Sequence, residues 1–260
     1  EALISNSLST GRIDETAANA WRNQLTLTTN YQDLAGVDLA IEAVFEDGSV
    51  KQNVLRSLEA ALRPDAVIAT NTSYLDVNML AAALADPSRL VGLHFFAPAH
   101  IMKLLEIVRG EMSSPKALAM GYAVAKRLGK IPVVAAVCDG FIGNRILARY
   151  REAADTLLMD GCTPWDIDAA MVDFGYAMGP YAAQDLSGLD IAHANRRRQD
   201  ATRDPARRYI AIADHVVAAG RLGRKTGAGW YHYPADGGRQ IDPAIETIIL
   251  QEAASAGIDR

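Results

Sequence analysis

Two residues able to do acid–base chemistry sit where few polar side chains are tolerated. His94 interrupts the apolar run LVGLHF, and Glu106, twelve positions on, interrupts KLLEIV. A carboxylate left unpaired between Leu105 and Ile107 would cost roughly 2–7 kcal/mol or more to bury, so it needs a hydrogen-bond partner. His94 is the candidate. Pro98 ends the first run, and the seven residues from Ala97 to Lys103 are enough to turn the chain and lay the second run beside it. An imidazole that donates one N–H to a carboxylate has its tautomer fixed and its imidazolium stabilised, leaving the other nitrogen to take a proton from a substrate. The competing reading is a satisfied core histidine without chemistry. His100, His193, His215 and His232 lack a carboxylate in a matching apolar setting and read as structural or surface residues.

The surrounding elements say how such a pair would be positioned. DLAIEAV (38–44) is a nearly continuous apolar run of the kind a parallel sheet buries on both faces. AVIAT, LVGLHF and IPVVAAV read as further strands. Amphipathic stretches separate them: VKQNVLRSLEAAL, ending before Pro64, a helix capped by Asp76, and one opened by Ser114 and Pro115 that runs to Gly129. Strands alternating with helices predict a doubly wound α/β sheet, in which ligands bind at the carboxyl ends of the strands. The loops at those ends carry Glu46, Ser73 and His94. Ahead of the first strand, the chain reads as the end of one helix, a stop at Gly11, and a second helix begun by Asp14. From Asp139 the pattern is helical: FIGNRILARYREAADTLLMDG, a capping box at TPWD, further helices to about Gly220, the closing segment GRKTGAGWYHY, and an amphipathic helix within 240–260. The expected division is an α/β domain over 1–138 and an all-helical domain over 139–260.

Seven segments in this order and at this approximate spacing resemble L-3-hydroxyacyl-CoA dehydrogenases: NTSYL (Asn71 to Leu75), HFFAP (His94 to Pro98), MKLLEIV (Met102 to Val108), DGFIGNRIL (Asp139 to Leu147), GYAMGP (Gly175 to Pro180), DLSGLD (Asp185 to Asp190) and GRKTGAGWY (Gly223 to Tyr231). The resemblance covers essentially the whole chain and is nearest to the dehydrogenase segment of multifunctional fatty-acid β-oxidation enzymes. It implies a Rossmann-like NAD-binding domain followed by an all-α substrate and dimerisation domain, and oxidation of an L-3-hydroxyacyl-CoA to the 3-oxoacyl-CoA with NAD as cofactor. It also implies roles. His94 is the general base toward the 3-hydroxyl, Glu106 its partner, Ser73 a hydrogen-bond partner of the reacting oxygen, and Asn144 a contact to the substrate carbonyl. Glu46, Lys51 and Asn71, with Ser73, fall near the cofactor. On the residues alone, Ser73 reads equally as a turn or cap, Asn144 as a side chain bonded to backbone, and Glu46 and Lys51 as a solvated helix start. One departure is Ala97, where many single-function members have asparagine; it removes an amide from the cofactor side and marks a subtype.

The pyrophosphate half of a dinucleotide site has no counterpart in these residues. No G-x-G-x-x-G is present: Gly227-Ala228-Gly229 lacks the last glycine and follows helices, and the stretch from Gly220 to Thr226 lacks P-loop spacing. In the family that loop precedes the point where this chain opens, so a first βαβ unit of about 30 residues is expected upstream. Glu1 opens the chain in mid-helix pattern without a methionine, which leaves room for a targeting signal as well. Two other readings stay open, a non-catalytic acyl-CoA-binding or scaffolding module and a CoA-independent 3-hydroxy acid dehydrogenase.

Composition narrows the partners. A net charge of −5 with interspersed charges leaves no footprint for nucleic acid or an anionic membrane. Arg196 to Arg198 is the one dense basic cluster, either a solvated helix face or a site for CoA phosphates. Cys138 and Cys162 have no metal-ligand spacing and imply a reducing compartment, cytoplasmic in a bacterium and peroxisomal or mitochondrial in a eukaryote. No window approaches eighteen uninterrupted apolar residues. The resemblance implies a homodimer through the helical domain, or packing against further domains of a longer chain.

Overall fold

Side-chain caps set most of the helix starts in the first of two compact units, Glu1–Ile142 and Gly143–Arg260. A computed structural model describes residues 1–259; Arg260, the last residue of the predicted C-terminal stretch, lies outside them. Two short helices, α1 (Ala2–Ser9) and α2 (Glu15–Asn23), open the chain, with Gly11 in the left-handed region between them and Asp14 accepting from Ala17 N at 2.7 Å. A five-stranded sheet follows: β1 (Leu39–Glu42), β2 (Val67–Thr70), β3 (Leu90–Phe95), β4 (Leu104–Arg109) and β5 (Ile131–Ala136), adjacent in that order. Asp47 caps α3 (Gly48–Ala61) through Val50 N, Asp76 caps α4 (Val77–Ala81) through Asn78 N, and Ser114 caps α5 (Pro115–Arg127) through Ala117 N, with Pro115 in its first turn.

β1, β2 and β3 pair in parallel, β3 and β4 antiparallel, and β4 and β5 in parallel, so the sheet is mixed. Side chains alternate across it. On one face Val91, Leu93, Leu105 and Ile107 pack with Ala117 and Ala125 of α5; on the other Ile68, Leu90 and Val108 pack with Leu55, Leu58, Val77, Leu80 and Phe141. His94 and Glu106, one residue out of step with Leu93 and Ile107, project to the second face. Gly92 permits the close β3–β4 approach, since a Cβ there would lie 2.6 Å from Val108 Cβ. The expectation that DLAIEAV is buried on both faces is corrected. β1 is an edge strand among the described residues, Ile41 is exposed on it, and the run contains a buried carboxylate, Glu42.

The second unit is helical: α6 (Gly143–Met159), α7 (Pro164–Asp173), α8 (Pro180–Ser187), α9 (Leu189–Gln199), α10 (Ile212–Ala218) and α11 (Pro243–Ser255). Thr163 opens α7, its hydroxyl accepting from Asp166 N at 3.2 Å and donating to the Asp166 carboxylate at 2.5 Å. Leu158, Tyr181, Ile212, Val216, Trp230 and Ile249 form its core. Two buried carboxylates join distant segments. Asp168 accepts from Tyr181 N, Ala182 N and Tyr231 Oη, and Asp185 from Trp230 N, Tyr231 N and Tyr233 Oη. Gly229 is required there because a Cβ would fall 1.9 Å from Asp185 Oδ1. No helix among the described residues is long and apolar enough to cross a membrane.

Candidate active site

Parallel pairing brings the carboxyl ends of β1, β2 and β3 to one end of the sheet, and the loops after them carry Glu46, Ser73 and the residues beyond His94. The antiparallel register pairs His94 directly with Glu106. His94 is 3% exposed and Glu106 fully buried, and His94 Nδ1 lies 2.6 Å from Glu106 Oε2. A carboxylate only accepts, so Nδ1 carries the hydrogen and Nε2 of the neutral ring is the acceptor. Glu106 Oε1 accepts from Ile142 N at 2.9 Å, which fixes the carboxylate from its other side. The rings of Phe96 and Phe141 lie 4.5 and 5.6 Å from the imidazole. Phe141 is buried with φ of +47°, a conformation that costs a non-glycine residue about 1–3 kcal/mol and persists only where packing enforces it. The geometry is that of an oriented base in a water-poor setting.

Ser73 lies in a loop held by Glu46. Glu46 Oε1 accepts from Thr72 Oγ1 at 2.6 Å, Ser73 N at 2.8 Å and Tyr74 N at 3.0 Å. Burial opposes ionisation of Glu46, but these donors and the Lys51 ammonium outweigh it and hold the pKa below the ordinary carboxylate value. The Ser73 hydroxyl itself makes no hydrogen bond among the described residues, which leaves it for a ligand. Asn71 Oδ1 accepts from Phe95 N at 2.9 Å, so this side chain ties the end of β2 to the end of β3 beside His94.

Lys51 is not on a solvated helix start. Its side chain is 1% exposed, and its ammonium bonds to Glu42 Oε1 at 2.7 Å and Val44 O at 3.2 Å and pairs with Glu46 Oε2 at 3.4 Å. An ammonium has three hydrogens, and three protein acceptors surround this one. Lys51 therefore faces the site through Glu46. Glu42, absent from the sequence reading, is the centre of this cluster: Oε1 also accepts from Val44 N and Oε2 from Thr70 Oγ1, each at 2.7 Å. The signal that could have found it is the one that found Glu106, a carboxylate inside an apolar run.

Asn144 lies on the first turn of α6, in the second unit, and is partly exposed. In that unit two histidines have carboxylate partners, though not within apolar strands. His193 Nδ1 is 2.9 Å from Asp214 Oδ1 and His215 Nδ1 is 3.3 Å from Glu252 Oε2. Sequence separation hid both pairs. Asp214 also accepts from Arg196 and Tyr209, so its charge is already shared and His193 is not singled out as a base. Arg197 pairs with Asp200 and Arg198 with Asn195 Oδ1, and the basic cluster is thus occupied by its own surroundings, as a helix face would be.

Toward a dinucleotide these residues offer polar groups and no phosphate cradle: Ser73, the partly exposed Glu46 carboxylate and Asn71 lie in the loops after β1 and β2, and no glycine-rich loop occurs in the sequence.

Comparison with known proteins identifies the family. Residues 1–138 match the family model for the 3-hydroxyacyl-CoA dehydrogenase NAD binding domain, and residues 140–233 match that for its C-terminal domain. The peroxisomal bifunctional enzyme of Danio rerio is 43% identical over 249 residues, 91% of this chain and 35% of that protein. The fatty acid oxidation complex subunit alpha of Pseudomonas putida strain GB-1 is 39% identical over 239 residues, 90% of this chain and 33% of that protein. The chain thus spans about a third of the length of these curated relatives. Among solved structures, (S)-3-hydroxybutyryl-CoA dehydrogenase from Ralstonia eutropha superimposes with a TM-score of 0.80 at 31% identity, covering 90% of this chain and 83% of that one.

Proposed function

Because the chain belongs to the 3-hydroxyacyl-CoA dehydrogenase family, we propose that it forms the catalytic part of an enzyme oxidising an L-3-hydroxyacyl-CoA to the 3-oxoacyl-CoA in fatty-acid β-oxidation. The observation that carries this reading is the buried His94–Glu106 pair, 2.6 Å apart beside the carboxyl ends of the parallel strands. NAD, when bound, supplies the acceptor for the hydride that leaves C3. His94 Nε2 takes the proton of the 3-hydroxyl, and Glu106 stabilises the resulting imidazolium while keeping the ring in place. The Ser73 hydroxyl bonds the reacting oxygen and holds it within reach of the imidazole. Glu46 and Asn71 border the cofactor side, with Lys51 acting behind Glu46. Asn144 is assigned to the substrate carbonyl on its motif alone. For the whole protein we propose packing of the helical unit against further domains, supported by the chain's covering about a third of these relatives, or a homodimer, and a peroxisomal setting, supported by the name of one relative, or a bacterial cytoplasmic one.

The test is loss of NADH absorbance on addition of acetoacetyl-CoA, run on the full natural protein and on the 260-residue chain. Turnover that depends on both reagents, and falls with His94→Gln, is the expected result. A folded natural protein without turnover would overturn the reading, and equal turnover on free acetoacetate would replace the acyl-CoA with a small 3-oxo acid.

A further inference from the structure

We propose that Glu42 is a positioning residue for the loop that carries Ser73, acting through Lys51 and Glu46. The proposal rests on the reading of Ser73 as the residue that meets the reacting oxygen. The linkage is continuous and starts and ends on the same stretch of chain. Thr70, the last residue of β2, donates to Glu42 Oε2 at 2.7 Å; Glu42 Oε1 holds the Lys51 ammonium at 2.7 Å; Lys51 faces Glu46 Oε2 at 3.4 Å; and Glu46 Oε1 holds Thr72 Oγ1, Ser73 N and Tyr74 N. Thr72 Oγ1 in turn accepts from Leu75 N at 2.9 Å. The loop is therefore bracketed by two carboxylates bridged by one cation.

The asymmetry of the bridge assigns the roles. The Glu42 and Lys51 side chains are 0% and 1% exposed, whereas that of Glu46 is 36% exposed. Glu42 is the fixed end: its two oxygens receive Lys51, Val44 N and Thr70 Oγ1, and its own carbonyl oxygen accepts from Asn71 N at 2.8 Å. Glu46 is the working end: its Oε1 takes the three loop donors, and Lys51 fixes the partly wetted carboxylate from Oε2. Three acceptors occupy Lys51, so what it contributes is the tether. Removing Glu42 alone leaves a buried ammonium with a single carboxylate, which pulls Glu46 inward and the Ser73 backbone with it. A misplacement of about 1 Å at a positioned group lowers turnover by about 10²-fold without a matching loss of binding.

Destabilisation alone would also lower activity, so the test separates the two. Glu42→Gln, Lys51→Met and the double variant are made in the full natural protein, with Ser73→Ala alongside. Removing both partners of a buried pair spares the protein an orphaned charge, so the double variant regains most of the thermal midpoint lost in either single variant. The expected result is that kcat in the double variant stays 10–100-fold below wild type with KM for acetoacetyl-CoA within about threefold. Amide hydrogen exchange of Ser73 and Tyr74 quickens in the NAD-free protein at the same time. Native kcat in the double variant, or unchanged exchange at these amides, would overturn the proposal. Native turnover in Ser73→Ala would remove the underlying reading and this one together; an impaired Ser73→Ala beside a fully active double variant would remove this one alone.

Discussion

At the scale of single residues, the pair His94 and Glu106 makes the sharpest demand. Replacing His94 by glutamine keeps a polar group near Glu106 but removes the base, and turnover is expected to fall by roughly 10²–10⁴-fold. Glu106→Gln retains an acceptor for Nδ1 and removes the charge that stabilises the imidazolium, so a smaller loss, about 10–100-fold, is expected. Circular dichroism and a thermal melt beside the NADH assay check that both variants fold; near-native turnover in either would remove the mechanism. This pair was legible because each residue is a polar interruption in an apolar run, and their separation allowed only a short return of the chain. Glu42 interrupts DLAIEAV in the same way but is not legible there, because its partner Lys51 sits on the first turn of α3, where a lysine ordinarily points to water. Burial of a cation is set by what surrounds the helix, which local sequence does not record. That the Ser73 hydroxyl has no hydrogen-bond partner among the described residues is likewise a fact of the folded loop, since Thr72, its neighbour, does the capping work.

At the scale of elements, ionisation pulls the two units in opposite directions. Asp155 on α6 accepts from Tyr181 Oη of α8 at 3.2 Å, and burial pushes its pKa up to about 7 against the hydrogen bond and the nearby Arg196 and Arg151 cations. The unfolded value is about 3.9, so between about pH 4 and pH 7 the folded unit holds a proton that the unfolded chain releases, and stability falls as pH rises through that window. Asp155→Asn keeps a group for Tyr181 and has no such slope. It is expected to stabilise the protein by about 1–3 kcal/mol at pH 8 and to leave it little changed at pH 4, which melts at the two values resolve. Equal melting of variant and wild type at pH 8 would show that folding does not raise the Asp155 pKa. Glu46 behaves conversely. Its lowered pKa means that its hold on the Ser73 loop is fully present above the ordinary carboxylate value and is lost as pH falls through the lower, folded one. Acid therefore loosens the Ser73 loop and base the helical unit. Helix starts at Asp14, Asp76, Ser114 and Thr163 could be read from the chain because a cap acts within three residues, whereas α3, capped by Asp47, opens at Gly48, ahead of the amphipathic stretch from Val50 that marks it. The antiparallel β3–β4 pair also follows from the short return after Pro98, since parallel neighbours need a crossover of about a dozen residues or more.

At the scale of the molecule, each unit carries a core of its own. The sheet unit closes on two layers, one against α5 and one against α3 and α4, and the helical unit closes on Tyr181, Trp230 and their neighbours. Asp185 binds two backbone amides 45 and 46 residues further on, and Asp168 reaches Tyr231 Oη across 63 residues, so the last third of the helical unit is tied to its middle by buried hydrogen bonds rather than by surface pairs. A segment of this length with its own core and its own long-range ties meets the requirements of an independently folding domain. Residues 143–260 expressed alone are thus expected to give a helical circular dichroism spectrum and one cooperative melt. Asp185→Ala should abolish that melt, because it leaves the Trp230 and Tyr231 amides buried without an acceptor, at about 1–3 kcal/mol for each. Asp185→Asn, which retains one carbonyl oxygen, should lower the midpoint and keep the transition cooperative. A fragment with helical signal but no cooperative transition, in which Asp185→Ala changes nothing, would show that these carboxylates do not organise the unit and that its core closes only in the presence of the sheet.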